Sequence, residues 1–413
     1  MSKLQSPRGT HDLFAEDQQK FNYITDLAKR VAKDFGFSQI STPIFEFSGV
    51  FQKTLGDTSD IVSKEMYQFE DRGGESLTLR PEGTAGIARA FISNGLTRNI
   101  PMKWYYCGPM FRYERPQKGR TRQFHQIGVE LIGAKDYKSD IDVITLSYHF
   151  LKELGLYKKG NTVLEINSIG DSESRKNFRQ KLVDYFTPLK VELSDDSKTR
   201  LEVNPLRILD SKDSGDIKLI EAAPTLSASL NSESQEHYDK IKNALSTLNI
   251  PFKENSNLVR GLDYYSHCVF EYKNSDIGAQ STILAGGRYD HLIKMMGGPE
   301  IPGVGWAAGI ERLMLSSDFK SESVAPVAII PMAENSEPVG VELCYKLREQ
   351  KVPAEIIDSG NMSKRFKKAD KLGAKFAIII GDDELKSKKF CLKDLSKGEQ
   401  EVIDMTNLIN KLK

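Results

Sequence analysis

One stretch, residues 104–131, dictates the architecture open to this chain. It has an outgoing run, Trp104-Tyr105-Tyr106-Cys107-Gly108-Pro109-Met110-Phe111-Arg112-Tyr113-Glu114, a basic link over 115–122 and a return run over 123–131. On the return run a period of two puts His125, Ile127, Val129 and Leu131 on one face and Phe124, Gln126, Gly128 and Glu130 on the other, the pattern of a strand in a long hairpin. One face builds core; the other offers an amide and a carboxylate to a ligand. Arg112 and Glu114 share a face of the outgoing run, so opposite charges converge on the sheet as a small zwitterion beside an anion would require. The link carries Arg115, Lys118, Arg120 and Arg122 around Gly119, which suits phosphates; a solvated basic hairpin tip is the alternative.

The remaining elements alternate irregularly, so a mostly antiparallel sheet with packed helices fits better than repeated βαβ units. Phe21, Ile24, Leu27, Ala28, Val31 and Phe35 recur at helical spacing before Gly36, predicting a helix over 16–35. Residues 39–47 read as one strand whose Pro43 suggests a sheet edge. Pro81-Glu82-Gly83-Thr84 stands where the strand ending at Leu79-Arg80 gives way to a helix over 85–93, and an acid there caps helix N–H groups. Helices are expected over 140–154 and 232–248, the latter burying Tyr238, Ile241, Ala244 or Leu245, and Leu248, whereas 171–227 is charged and weakly patterned. After a polar linker over 316–325, strands at 327–330, 354–357, 376–380 and 389–392 alternate with helices near 337–350 and 362–372. This is a smaller α/β domain, and its second helix carries Lys364, Arg365, Lys367, Lys368 and Lys371.

A net charge of +1 over 413 residues means that nucleic-acid binding must come from local patches. Four scattered cysteines, Cys107, Cys268, Cys344 and Cys391, show no metal-ligand spacing and imply reduced thiols. No apolar run approaches the ~20 residues of a membrane span, so a cytoplasmic protein with no membrane association is expected.

Phe111-Arg112-Tyr113-Glu114 followed by Arg122-Gln123-Phe124 resembles motif 2 of the class II aminoacyl-tRNA synthetases, and other blocks resemble the histidyl-tRNA synthetase family. The segment with Pro43 resembles motif 1. Leu258-Val259-Arg260-Gly261-Leu262-Asp263-Tyr264-Tyr265 and Ala285-Gly286-Gly287-Arg288-Tyr289-Asp290 resemble the two histidine-specific motifs, and Gly303-Val304-Gly305-Trp306-Ala307-Ala308-Gly309-Ile310-Glu311-Arg312 resembles motif 3. The resemblance implies an α+β catalytic domain of class II fold over 1–322, with an insertion at about 171–227, and an anticodon-binding α/β domain over 323–413. It further implies a homodimer with Pro43 at the interface, tRNA(His) and histidine as partners, ATP and Mg²⁺ as cofactors, and no protein-bound metal. Arg112 and Arg260 take catalytic roles on the α-phosphate, and Arg112, Glu114, Arg120 and Arg312 bind ATP. Glu82, Thr84, Gln126, Glu130, Tyr264, Tyr265 and Tyr289 hold histidine, while Arg115 and Gln117 meet the tRNA acceptor end. No Gly-x-x-x-x-Gly-Lys-Ser/Thr loop is present, so ATP is expected on arginines. A non-catalytic paralogue sensing histidine or uncharged tRNA is the alternative, disfavoured by the presence of Arg112, Arg260, Arg312 and the C-terminal domain.

Overall fold

The hairpin supplies two adjacent strands near one edge of an eight-stranded sheet in the computed structural model, which describes residues 4–55, 61–157, 160–258, 264–278, 281–317, 325–387 and 389–413. Arg260 lies outside the described residues, as does most of the linker. The chain divides into two units, Met1–Lys320 and Ser321–Lys413.

The strands of the first unit are β1 (Ser38–Gln39), β2 (Phe45–Phe47), β3 (Tyr67–Glu70), β4 (Ser76–Leu79), β5 (Met102–Phe111), β6 (Gln123–Ile132), β7 (Thr162–Ser168), β8 (Lys253–Glu254), β9 (Ser266–Asn274), β10 (Thr282–Arg288) and β11 (Gly303–Gly309). The main sheet has the order β1-β5-β6-β11-β10-β9-β7-β8, and a three-stranded sheet has the order β2-β4-β3. In the main sheet β1 and β8 are parallel edges, and every pairing between β5 and β7 is antiparallel. The expected hairpin forms along the full length of β5 and β6, from Met102↔Ile132 to Phe111↔Gln123.

The helices are α1 (Ala15–Asp34), α2 (Gly49–Leu55), α3 (Thr84–Ser93), α4 (Tyr137–Glu153), α5 (Ser172–Phe186), α6 (Asp195–Val203), α7 (Ser214–Glu221), α8 (Ser232–Thr247), α9 (Leu292–Met295) and α10 (Ile310–Ser316). One face of the sheet packs Ile127, Val129 and Trp306 against Ile24, Val31, Ile144, Phe150 and Ile241 of α1, α4 and α8. The other packs Tyr106 and Met110 with Phe91, Phe178 and Ile293. Each such side chain, fully buried, stabilises the fold by roughly 1.5–3 kcal/mol.

Three expectations change. The single strand over 39–47 is two, β1 and β2, in different sheets, and Pro43 sits exposed between them. The buried Arg80 guanidinium draws the chain away from the sheet there, donating to the carbonyls of Thr42 at 3.0 Å, Pro43 at 3.4 Å and Pro109 at 2.8 Å. The weakly patterned segment folds as α5, α6 and α7 around Phe178, Leu182, Phe186, Leu201, Ile208 and Ile220. Its helices begin at Asp171, Ser194 and Asp213, whose side chains accept the N-terminal N–H groups. Leu248, expected in the stripe of α8, is 50 % exposed because the helix ends at Thr247, while Leu245 is buried.

The second unit has β12 (Val327–Pro331), β13 (Ala354–Ile356), β14 (Phe376–Ile380), β15 (Phe390–Asp394) and β16 (Gln400–Ile403) in the order β13-β12-β14-β15-β16. Its helices are α11 (Glu337–Glu349), α12 (Met362–Lys371), α13 (Asp382–Ser387) and α14 (Met405–Leu412). β16, α13 and α14 go beyond the elements expected from sequence; β16 is mostly exposed and polar, so it carries no core periodicity. On α12, Arg365 donates to Gly360 at 2.8 Å and Asp358 at 2.6 Å, and Lys368 bonds Ser359. Lys364, Lys367 and Lys371 are left exposed on that helix.

Candidate active site

A cleft of about 700 Å³ opens over the sheet, lined from β6 by Phe124 and Gln126, from the head of α3 by Glu82 and Thr84, and by Arg112, Glu114, Arg120, Tyr264, Tyr265, Tyr289 and Arg312. Glu130 is not on its wall. It is fully buried behind it, accepting from the Thr84 hydroxyl at 2.6 Å on one oxygen and from the Tyr289 hydroxyl on the other. Gly305 makes room for it: a Cβ there would stand 1.9 Å from a Glu130 oxygen. The paired glycines of β10 serve neighbouring strands, since a Cβ at Gly286 would meet the Gly305 carbonyl at 2.2 Å and one at Gly287 the Cys268 carbonyl at 2.6 Å.

Glu82 performs the capping expected of it. Its carboxylate accepts from the backbone N–H groups of Thr84 at 2.6 Å and Ala85 at 2.8 Å, the first turn of α3, while still lining the cleft. Burial raises its pKa above the usual carboxylate value, and these N–H groups oppose the shift. The Gln126 side-chain oxygen Oε1 is buried without a hydrogen-bond partner, which leaves an acceptor ready for a ligand's donor. Tyr264 stacks obliquely on Tyr265, ring centres 4.8 Å apart, and meets Tyr289 edge-on at 5.9 Å. Together these form an aromatic wall beside two acceptors.

The cationic side lies along the hairpin. Arg112 follows the last residue of β5, donates from Nε to the Pro81 carbonyl at 2.9 Å, and lies 5.3 Å from the Phe124 ring centre. Arg120 pairs with Glu114 at 2.9 Å, and Arg312 donates from α10 to the Thr282 carbonyl at 2.7 Å and the Gly119 carbonyl at 3.3 Å. The basic link is closed by reciprocal backbone hydrogen bonds between Gln117 and Arg120 of 3.1 and 2.9 Å. Arg115 and Gln117 do not line the main cleft; Arg115 borders a second hollow with Arg8 and Arg122. Pro43 lies outside both hollows. Sequence reasoning missed Arg200, Arg207 and Lys212, which bring further positive charge to the cleft wall, and no local pattern announces them.

Burial pushes the Glu130 carboxyl up to about 8, against the lowering effect of its two hydroxyl partners. The folded protein therefore holds a proton that the unfolded chain releases above the ordinary value of 4.5, so stability falls as pH rises from 4.5 to about 8 and levels beyond. Glu130→Gln removes that titration. Its unfolding midpoint should exceed the wild-type value by a margin that widens between these two pH values; a constant margin would show that Glu130 is ionised throughout.

Residues 9–313 match the family described as histidyl-tRNA synthetase, and residues 326–413 match the anticodon binding domain family. The chain is 51 % identical over 400 residues to a histidine–tRNA ligase of Gluconacetobacter diazotrophicus, covering 97 % of this chain and 96 % of that one. It is 50 % identical over 408 residues to a histidine–tRNA ligase of Gluconobacter oxydans, covering 99 % and 98 %. The ligand-free structure of histidyl-tRNA synthetase from S. aureus superposes with a TM-score of 0.83 at 35 % identity, covering 99 % of this chain and 100 % of that one. Near-full-length matches of this kind, on a chain whose cleft gathers acids, tyrosines and arginines over one antiparallel sheet, place it in a family: the chain belongs to the histidyl-tRNA synthetases.

Proposed function

We propose that the chain is a histidine–tRNA ligase, an ATP-dependent enzyme that activates histidine as histidyl-adenylate and transfers it to the 3′ end of tRNA(His). The observation that carries this reading is one cleft lined both by acceptors and tyrosines, Glu82, Thr84, Gln126, Tyr264, Tyr265 and Tyr289, and by the arginines Arg112, Arg120 and Arg312. A zwitterionic amino acid with an aromatic side chain suits the first, a nucleoside triphosphate the second. The paralogue alternative is not favoured, because the relatives that match nearly the whole chain are histidine–tRNA ligases.

Adenylation needs no protein nucleophile: the histidine carboxylate attacks the α-phosphate, and catalysis consists of aligning the two and neutralising charge on the phosphate oxygens. In the proposed site Glu82, Thr84 and the unpartnered Gln126 oxygen receive the ammonium group. Glu130 takes an imidazole N–H in place of one of its present partners, the Tyr265 hydroxyl serves the other ring nitrogen, and Tyr264 and Tyr289 close the wall. Arg112 and Arg260 stabilise the α-phosphate, and Glu114, Arg120 and Arg312 hold the rest of the nucleotide. Among the described residues no three His, Cys, Asp or Glu side chains gather to hold a metal ion, and Glu114 is paired with Arg120. Mg²⁺ is accordingly assigned to the phosphates of bound ATP, where it would neutralise charge.

Arg115 and Gln117 are assigned to the tRNA acceptor end, residues 323–413 to the anticodon and 1–322 to the chemistry, with the insertion beside the acceptor arm. A homodimer through the Pro43 segment is supported by the exposed Phe45 and Phe47 of β2. Among the described residues no helix is long and apolar enough to cross a membrane, and we assign the protein to the cytoplasm.

The test is pyrophosphate exchange into ATP with each of the twenty amino acids. Exchange is expected with histidine and Mg²⁺ and with no other amino acid; exchange driven by threonine or glycine, or none at all, would overturn the assignment.

A further inference from the structure

β11 pairs with β6 only as far as Gly309↔Gln126, yet β6 continues to Gln123. Beyond that rung the chain turns into α10, and a backbone N–H of β6 facing the departed strand would lose its acceptor. The Glu311 carboxylate fills the position. Both its oxygens lie 3.0 Å from the His125 backbone N–H, and one lies 2.9 Å from the His125 ring Nδ1. On its other side the His125 ring meets Phe21 of α1 edge-on, ring centres 4.9 Å apart. Neither His125 nor Glu311 has a part in the proposed chemistry.

The sequence neighbours of this pair do have parts in it. Phe124 lies beneath the Arg112 guanidinium, and Arg312 reaches from α10 to the carbonyls of Gly119 in the hairpin link and Thr282 in β10. A shift of α10 relative to β6 would therefore displace Arg312 and Phe124 from each other. Glu82, Thr84 and Gln126 would stay, because Glu82 is anchored on α3 and Gln126 still has its β11 rung. We propose that Glu311 and His125 are positioning residues, a latch that holds the nucleotide half of the cleft in register without touching the histidine half. The inference rests on reading the arginine-lined half as the ATP site.

The experiment measures histidine-dependent pyrophosphate exchange with ATP and histidine varied separately, in wild type, Glu311→Ala and His125→Phe. His125→Phe keeps the aromatic contact with Phe21 and the backbone N–H but removes the ring nitrogen. Glu311→Ala should raise KM for ATP about tenfold or more, with histidine KM within about twofold, since small misalignments of reacting groups are costly. His125→Phe should move ATP KM in the same direction by a smaller factor. A histidine KM that rises in step with that of ATP, or an unchanged ATP KM in Glu311→Ala, would overturn the latch. So would an impaired Glu311→Ala beside an unaffected His125→Phe, which would make Glu311 a direct ligand contact. If Glu311→Ala does not fold, Glu311→Gln, which keeps one acceptor oxygen, is judged by the same criteria.

A second arm is independent of activity. Amide hydrogen exchange over 119–126 in the ligand-free protein should speed up about tenfold in the Glu311 variant, and unchanged protection refutes the latch. Absence of exchange activity in the wild type would instead count against the functional reading, with the amide arm still deciding the latch.

Discussion

Arg112→Ala should lower the rate of histidyl-adenylate formation by about 10²- to 10³-fold, equivalent to about 2.7–4 kcal/mol of barrier, as removal of one charge-stabilising donor typically does. The geometry explains why the effect should fall on chemistry. Nε of Arg112 is occupied by the Pro81 carbonyl at 2.9 Å, and its partner Glu114 stands at 3.9 Å, too far for a tight pair. The terminal nitrogens are thus aimed by the backbone that also presents Glu82. Lysine cannot reproduce a planar fork held at Nε, so Arg112→Lys should recover little of the loss. Single-turnover measurement of adenylate formation at saturating ATP and histidine checks this. Normal chemistry with weakened histidine affinity would move Arg112 to substrate holding. Arg260, which lies outside the described residues, is assigned the same task.

The largest stability effect should come from Arg288→Met. Arg288 is fully buried and bonds Asp140 at 2.7 Å, Asp290 at 3.2 Å, the Ser139 hydroxyl at 3.1 Å and the Ala134 carbonyl. Asp140 is equally buried, and its other contact is His237 at 3.2 Å. Removing the guanidinium leaves a buried carboxylate without its cation, which costs about 3–5 kcal/mol. Desolvation lowers the Arg288 pKa, and the two aspartates more than offset it, so the net direction is up and the group stays charged. The double variant Arg288→Met/Asp140→Leu should regain most of the loss, because no unpaired charge remains. Denaturant unfolding of the full chain measures both, and a single variant within about 1 kcal/mol of wild type would show that the network carries little of the stability. Tyr289, which follows Arg288 directly, holds the Glu130 carboxyl, so the variant should lose activity as well.

The hairpin and most long helices were legible because their signals are local. A period of two over 123–131 and a helical stripe over 16–35 are written in neighbouring residues, and β6 and α1 follow them closely. The fold of residues 171–227 was not legible, since its helices bury few apolar positions each and make one core only when α5, α6 and α7 pack together. Pro43 was half legible for a related reason. Its local meaning, a sheet edge, holds, since β1 and β2 are both edge strands, but that they edge two different sheets is decided by Arg80, 37 residues further along the chain.

The same division runs through the site. The resemblance of contiguous motifs to those of the family named the arginines, the tyrosines and the acid at the head of α3, because a motif is a contiguous string. What each group faces depends on partners far away in sequence. Glu130 read as a carboxylate open to a ligand, and the fold places it behind Thr84 and Tyr289 with its proton held by burial. His125 read as a core position, and the turn from β11 into α10 gives it Glu311. Local sequence determined the motif groups of this cleft; the charges that Arg200, Arg207 and Lys212 add to it, and the ionisation and pairing of its acids, were left to the tertiary structure, because desolvation and hydrogen bonding sum over atoms that only folding brings within a few ångströms.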